Sequence, residues 1–70
     1  MSHYQIILHW SPEDGVFVAE APELPGCVAH GDDEETALAN VKTAIQLWID
    51  VAREEGEPVP EPRARRAASA

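Results

Sequence analysis

The sequence predicts an α+β domain: a three-stranded antiparallel meander packed on one long α-helix, in the order β-β-β-α. Three observations predict it. Apolar residues alternate over the first ten positions, a period of two that suits a half-buried strand. Two turn signals then interrupt the apolar runs, Asp14-Gly15 and Pro25-Gly26. From residue 34 the apolar period changes to that of a helix and holds for about twenty residues.

The first strand is expected over His3–Trp10. Tyr4, Ile6, Leu8 and Trp10 fall on one face, and His3, Gln5, Ile7 and His9 on the other. Ser11-Pro12-Glu13-Asp14-Gly15 closes a hairpin. The second strand is expected over Val16–Ala21, with Val16 and Val18 opposite Phe17, Ala19 and Ala21. A strand apolar on both faces is usually covered on both. The helix supplies one cover, and a second copy of the chain is the expected other.

Glu20-Ala-Pro-Glu-Leu-Pro-Gly-Cys27 joins this strand to the third. It holds two of the six prolines, one of the four glycines and the only cysteine. Pro22 and Pro25 lack a backbone donor, so the stretch cannot be the middle of a paired strand. Pro25-Gly26 suits a type II turn, with Gly at the position that needs φ > 0. Cys27–Gly31 is then a short third strand.

Asp32 and Asp33 are both good N-cap residues, and Asp32 with Glu35 has the spacing of a capping box. Glu34 and Glu35 suit the positive end of the helix dipole. Leu38, Val41, Ile45, Trp48, Ile49 and Ala52 form one stripe, flanked by Ala37 and Ala44. The stripe is core rather than a ligand box. The helix should stop near Glu55, with Gly56 as the residue after the cap. Leu47 and Val51 fall outside the stripe, one turn apart. Glu57-Pro-Val-Pro-Glu-Pro62 should be extended, with Val59 able to tuck back. Residues 1–62 thus form one domain, and 63–70 are expected to be a disordered basic tail.

Seventy residues make one small domain, which is marginal without extra buried surface. One cysteine excludes an internal disulfide. A homodimer or homotetramer is the expected remedy, through Ile7, Val16 and Val18 on the outward sheet face or through Leu47 and Val51. No apolar run suits a membrane span and no signal peptide precedes the first strand, so a cytoplasmic location is expected.

The formal charge is −8, unevenly spread. All thirteen acids lie between Glu13 and Glu61, where Lys42 and Arg53 are the only cations, a net −11 over residues 1–62. Arg63, Arg65 and Arg66 sit in the tail. Such a body is poorly suited to phosphate backbones, so no direct nucleic-acid binding is expected. A basic protein partner suits it, as does simple solubility.

No catalytic residue, metal site or cofactor is expected. Cys27 starts a buried strand with no nearby cation to activate it. His3 and His9 lie six strand residues apart, roughly 20 Å, too far for one metal. The acids sit mainly in turns and at the helix start rather than converging as a two-metal site requires. No phosphate loop or nucleophile elbow is present.

The hairpin at Glu13-Asp14-Gly15, the stretch Pro22-Glu23-Leu24-Pro25-Gly26-Cys27 and Gly31-Asp32 ahead of Thr36-Ala37-Leu38-Ala39-Asn40 occur in an order and spacing that resemble the HicB antitoxin family. The resemblance covers residues 4 to 62. It implies a partial RNase H-like unit, often with a short extra strand after the Pro-rich segment. It also implies a non-enzymatic role: binding a small basic RNA-cleaving toxin of the HicA type and masking its active site. Asp33 and Thr36 stand where the family has Thr and Glu. The chain is expected to be a single-domain form without the DNA-binding module of operator-binding members. Glu20, Glu23, Asp32, Asp33 and Glu34 are the candidate toxin contacts. The alternatives are a stand-alone oligomeric scaffold or regulator without a toxin, and a metal-dependent nuclease.

Overall fold

In the computed structural model, which describes residues 4–61, the meander and helix form as expected. The strands are β1 (Ile7–Ser11), β2 (Val16–Glu20) and β3 (Val28–Gly31), and the helix is α1 (Glu34–Glu54). The sheet order is β1-β2-β3, antiparallel throughout.

β1 begins four residues later than the alternation suggests. In the register that pairs Ile7 with Glu20, the partner of Gln5 is Pro22. Proline has no N–H to offer, so the ladder cannot extend there. The Gln5 N–H instead donates to Glu23 Oε1 at 2.9 Å. The hairpin closes with the Gly15 N–H donating to the Ser11 carbonyl at 2.8 Å.

The β2–β3 connection is two turns in tandem. Leu24 N–H donates to the Ala21 carbonyl and Cys27 N–H to the Leu24 carbonyl, each at 3.0 Å. Each turn has proline at its second position, and Gly26 takes φ +77° in the second turn, the type II geometry. The Ala21 N–H then donates to the Cys27 carbonyl at 3.0 Å and starts the next ladder.

α1 is capped one residue beyond the expected capping box. Asp33 is the N-cap and its Oδ1 accepts from the Thr36 N–H at 2.8 Å. The Asp32–Glu35 pairing does not set the helix start. At the other end Gly56, φ +71°, donates to Arg53 O at 3.2 Å, while Glu57 donates to Ala52 O at 2.8 Å. These two bonds make a Schellman motif, which satisfies carbonyls the last turn would leave open.

The core lies between α1 and the sheet. Ala19, Ala21, Leu24, Cys27, Ala37, Val41, Ile45 and Ala52 are buried. Leu38, Ala44, Trp48 and Ile49 pack around them half-buried, so the predicted stripe is the packed face. Burial pushes the Cys27 thiol above its ordinary 9.0, which leaves it protonated and structural. Trp48 Nε1–H donates to the Pro25 carbonyl at 2.9 Å, pinning the turn to the helix.

α1 lies mainly over β3 and β2 and touches β1 little. Leu8 and Trp10 therefore stay 38 % and 49 % exposed although they occupy the helix-side face. Trp10 rests edge-on against Phe17, centroids 4.9 Å apart at 65°. Residues 57–61 carry no strand. They return along the domain: the Tyr4 hydroxyl donates to the Pro60 carbonyl, and Val59 is half-buried. The Arg-rich tail, and any strand beyond residue 61, lie outside the described residues.

Candidate functional site

Three surfaces bear on function: the acids, the outer sheet face and the open edge of β3. The five acids singled out from the sequence do not form one cluster. Glu20 ends β2 opposite Ile7 and Val28, and Glu23 follows in the turn. Asp32, Asp33 and Glu34 follow Gly31, which pairs with Phe17 at the other end of the sheet. Three strand residues separate the two groups along β3, roughly 10 Å.

Two of the five are engaged within the fold. The Glu23 carboxylate takes the Gln5 N–H. Asp33 caps α1, and hydrogen bonds from Thr36, first its side chain and then its backbone N–H, hold the Asp33 carboxyl below its ordinary 3.8. Glu20 is half-buried, whereas Asp32 and Glu34 are exposed.

The outer sheet face carries Ile7, His9, Val16, Val18, Glu20, Val28 and His30, because their Cα partners alternate in register across all three strands. Ile7, Val16 and Val18 thus share one face, as the sequence suggests. His9 and His30 both sit opposite Val18. Among the described residues no three His, Cys, Asp or Glu side chains are placed to hold a metal ion.

The third surface was not legible in the sequence. Ala21 N–H bonds Cys27 O, so Ala29 and Gly31 direct their backbone groups at β2. Val28 and His30 therefore direct theirs at the free edge. Asn40 Nδ2 donates to the His30 carbonyl at 2.7 Å and covers part of that edge. Beside it runs an open apolar groove of about 680 Å³, lined by Pro25, Val28, Leu47, Trp48, Val51 and Pro58 among others. Val28, Leu47 and Val51 are 46 %, 62 % and 44 % exposed. Leu47 and Val51 were expected as contact residues; Val28 was missed, because a lone valine in a four-residue strand gives no sign of which edge it lines.

No helix among the described residues is long and apolar enough to cross a membrane.

The chain matches the family described as "HicB_like antitoxin of bacterial toxin-antitoxin system" over residues 4–69. It is 40 % identical over 48 residues to a UPF0150 protein of Thermoplasma acidophilum, spanning 69 % of this chain and 70 % of that one. A UPF0150 protein of Synechocystis is 34 % identical over 58 residues, 83 % of this chain and 78 % of its own. A UPF0150 protein of Helicobacter pylori is 49 % identical over 37 residues, 53 % of this chain and 50 % of its own. No solved structure matches. The match from Tyr4 onward takes in the hairpin, the tandem turn and the capped helix together, and on that ground the chain belongs to the HicB-like antitoxin family of bacterial toxin–antitoxin systems.

Proposed function

We propose that this chain neutralises a small basic RNA-cleaving toxin of the HicA type by binding it and masking its active site. Membership of an antitoxin family supports a toxin partner. The observation that carries the choice of a basic one is charge: thirteen acids against two cations between residues 1 and 62. A field of that sign speeds the encounter with a cationic protein and disfavours nucleic acid. Glu20, Asp32 and Glu34 supply the contact charges, with Glu23 and Asp33 adding to the field while bonded to backbone. Occlusion asks of these carboxylates only contact with a surface of opposite charge.

Co-expression tests this. A small basic protein encoded beside this chain, expressed alone, should arrest growth; expressed with this chain, it should co-purify with it and growth should resume. Persistent arrest with no co-purification would leave the reading without support, and the scaffold alternative would replace it.

A further inference from the structure

Resting on the toxin reading above, we propose that the basic toxin sits on the outer face of the sheet, and that His9 and His30 make its grip sensitive to acid.

The first observation is that this face is apolar and uncovered. α1 packs on the other side of the sheet, mainly over β3 and β2. Ile7 and Val28 are exposed on the outer strands, and Val16 and Val18 on the middle strand are half-buried. A sheet apolar on both faces needs a cover on each, and α1 supplies one.

The second is where charge stands on that face. Glu20 closes one end, paired with Ile7 and Val28. Asp32 follows the other end, just past Gly31, the partner of Phe17. Four residues of β2 lead from Glu20 to Val16, roughly 14 Å. No Lys or Arg lies in any of the three strands. An apolar strip with a carboxylate at each end fits a partner whose own apolar surface lies between two cations. Two copies of this chain laid face to face would bring four of these carboxylates into one interface, which like-charge repulsion opposes.

The third is the middle row. His9, Val18 and His30 are cross-strand neighbours on β1, β2 and β3. The two histidines stand on the same face, two strand spacings or about 10 Å apart. Both are exposed. Among the described residues the titratable groups of this face are His9, His30, Glu20 and, past the strand end, Asp32, while α1 covers the opposite face.

Histidine is the side chain that changes charge between about pH 5 and 8, where carboxylates stay ionised. A neutral imidazole can be covered by apolar surface at modest cost. An imidazolium in the same place must be desolvated, and it faces a cationic protein. Glu20 lies diagonal to both histidines, within reach of either, so a protonated histidine also competes with the toxin for that carboxylate. All three effects weaken binding as pH falls. The chain holds its toxin at neutral pH and lets it go when the surroundings acidify.

Calorimetric titration of the full chain with a purified basic toxin of the HicA type tests this, at about pH 8 and about pH 5.5, either side of the histidine range. Val18→Lys and Ile7→Lys put a charge in the strip on the side away from α1. Each should weaken binding at the higher pH at least about 100-fold, with the circular dichroism unchanged. Leu47→Lys, on α1 beside β3, should bind like the parent. Between the two pH values the parent should lose at least about tenfold more affinity than the double variant His9→Gln, His30→Gln. A parent chain that binds at neither pH would sink the toxin reading and this proposal with it. Binding indifferent to both lysines would overturn the surface and leave the toxin reading standing. Equal losses in the parent and the double variant would overturn the acid release. A chain that sediments alone as a dimer, and as a monomer when it carries Val18→Lys, would put a second copy on the face and overturn the assignment.

Discussion

The side-chain amide of Asn40 donates to the carbonyl oxygen of His30 at 2.7 Å, tying the middle of α1 to the outer edge of β3. The bond satisfies an acceptor that the sheet leaves open and fixes the helix over the edge strand. Asn40→Ala should lower stability by about 1 kcal/mol, the worth of one partly solvated hydrogen bond. Urea unfolding of the two proteins gives the difference directly.

Gly31 lies under the first turn of the same helix. A Cβ there would sit 2.7 Å from the Thr36 carbonyl carbon and 2.8 Å from Ala37 Cα, both backbone atoms. Gly31→Ala should cost about 1–3 kcal/mol through displacement of the helix start. A thermal melt unchanged from the parent would show that α1 sits farther from the sheet.

Asp33 links stability to pH. Its carboxyl titrates below its ordinary 3.8 in the folded chain because Thr36 bonds the charged form. Its contribution is therefore complete above the unfolded value and is lost as pH falls through the folded one. Asp33→Asn keeps an acceptor but not the charge. The variant should be less stable than the parent at pH 7, with the gap in urea midpoint closing as the pH falls below 3.8.

Leu24 and Val41 are the largest fully buried side chains among the described residues, and Leu24 sits inside the tandem turn. Leu24→Ala should cost about 2–5 kcal/mol, enough to unfold much of so small a domain. Circular dichroism at 25 °C would show the loss. A folded variant would mean the turn collapses to fill the cavity.

The elements that sequence made legible are those set by local chemistry. Gly56 marked the helix end because only a residue free to take φ > 0 closes it without strain. Pro25-Gly26 marked its turn for the same reason, and the stripe from Leu38 to Ala52 marked the buried face. What depended on tertiary position was not legible. Leu8 and Trp10 alternate like core residues, yet α1 sits over β3 and leaves them open. The start of β1 was set by Pro22, just past the end of β2 and seventeen positions from Gln5, the residue it would have to pair. The acids looked like one group because they are close in sequence, but β3 runs between Glu20 and Asp32 and parts them. Val28 gained its place in the groove only from the hydrogen-bond phase of the β2–β3 ladder, which no single-strand pattern encodes.

The central claim is neutralisation of a basic toxin by an acidic surface. Its most direct test is RNA cleavage by a purified basic toxin of the HicA type, titrated with this chain and with the triple variant Glu20→Lys, Asp32→Lys, Glu34→Lys. Cleavage should cease at a stoichiometric amount of the parent chain, and the variant should need at least tenfold more. Cleavage that continues in excess parent chain would contradict the account, and equal protection by the variant would remove those carboxylates from the contact.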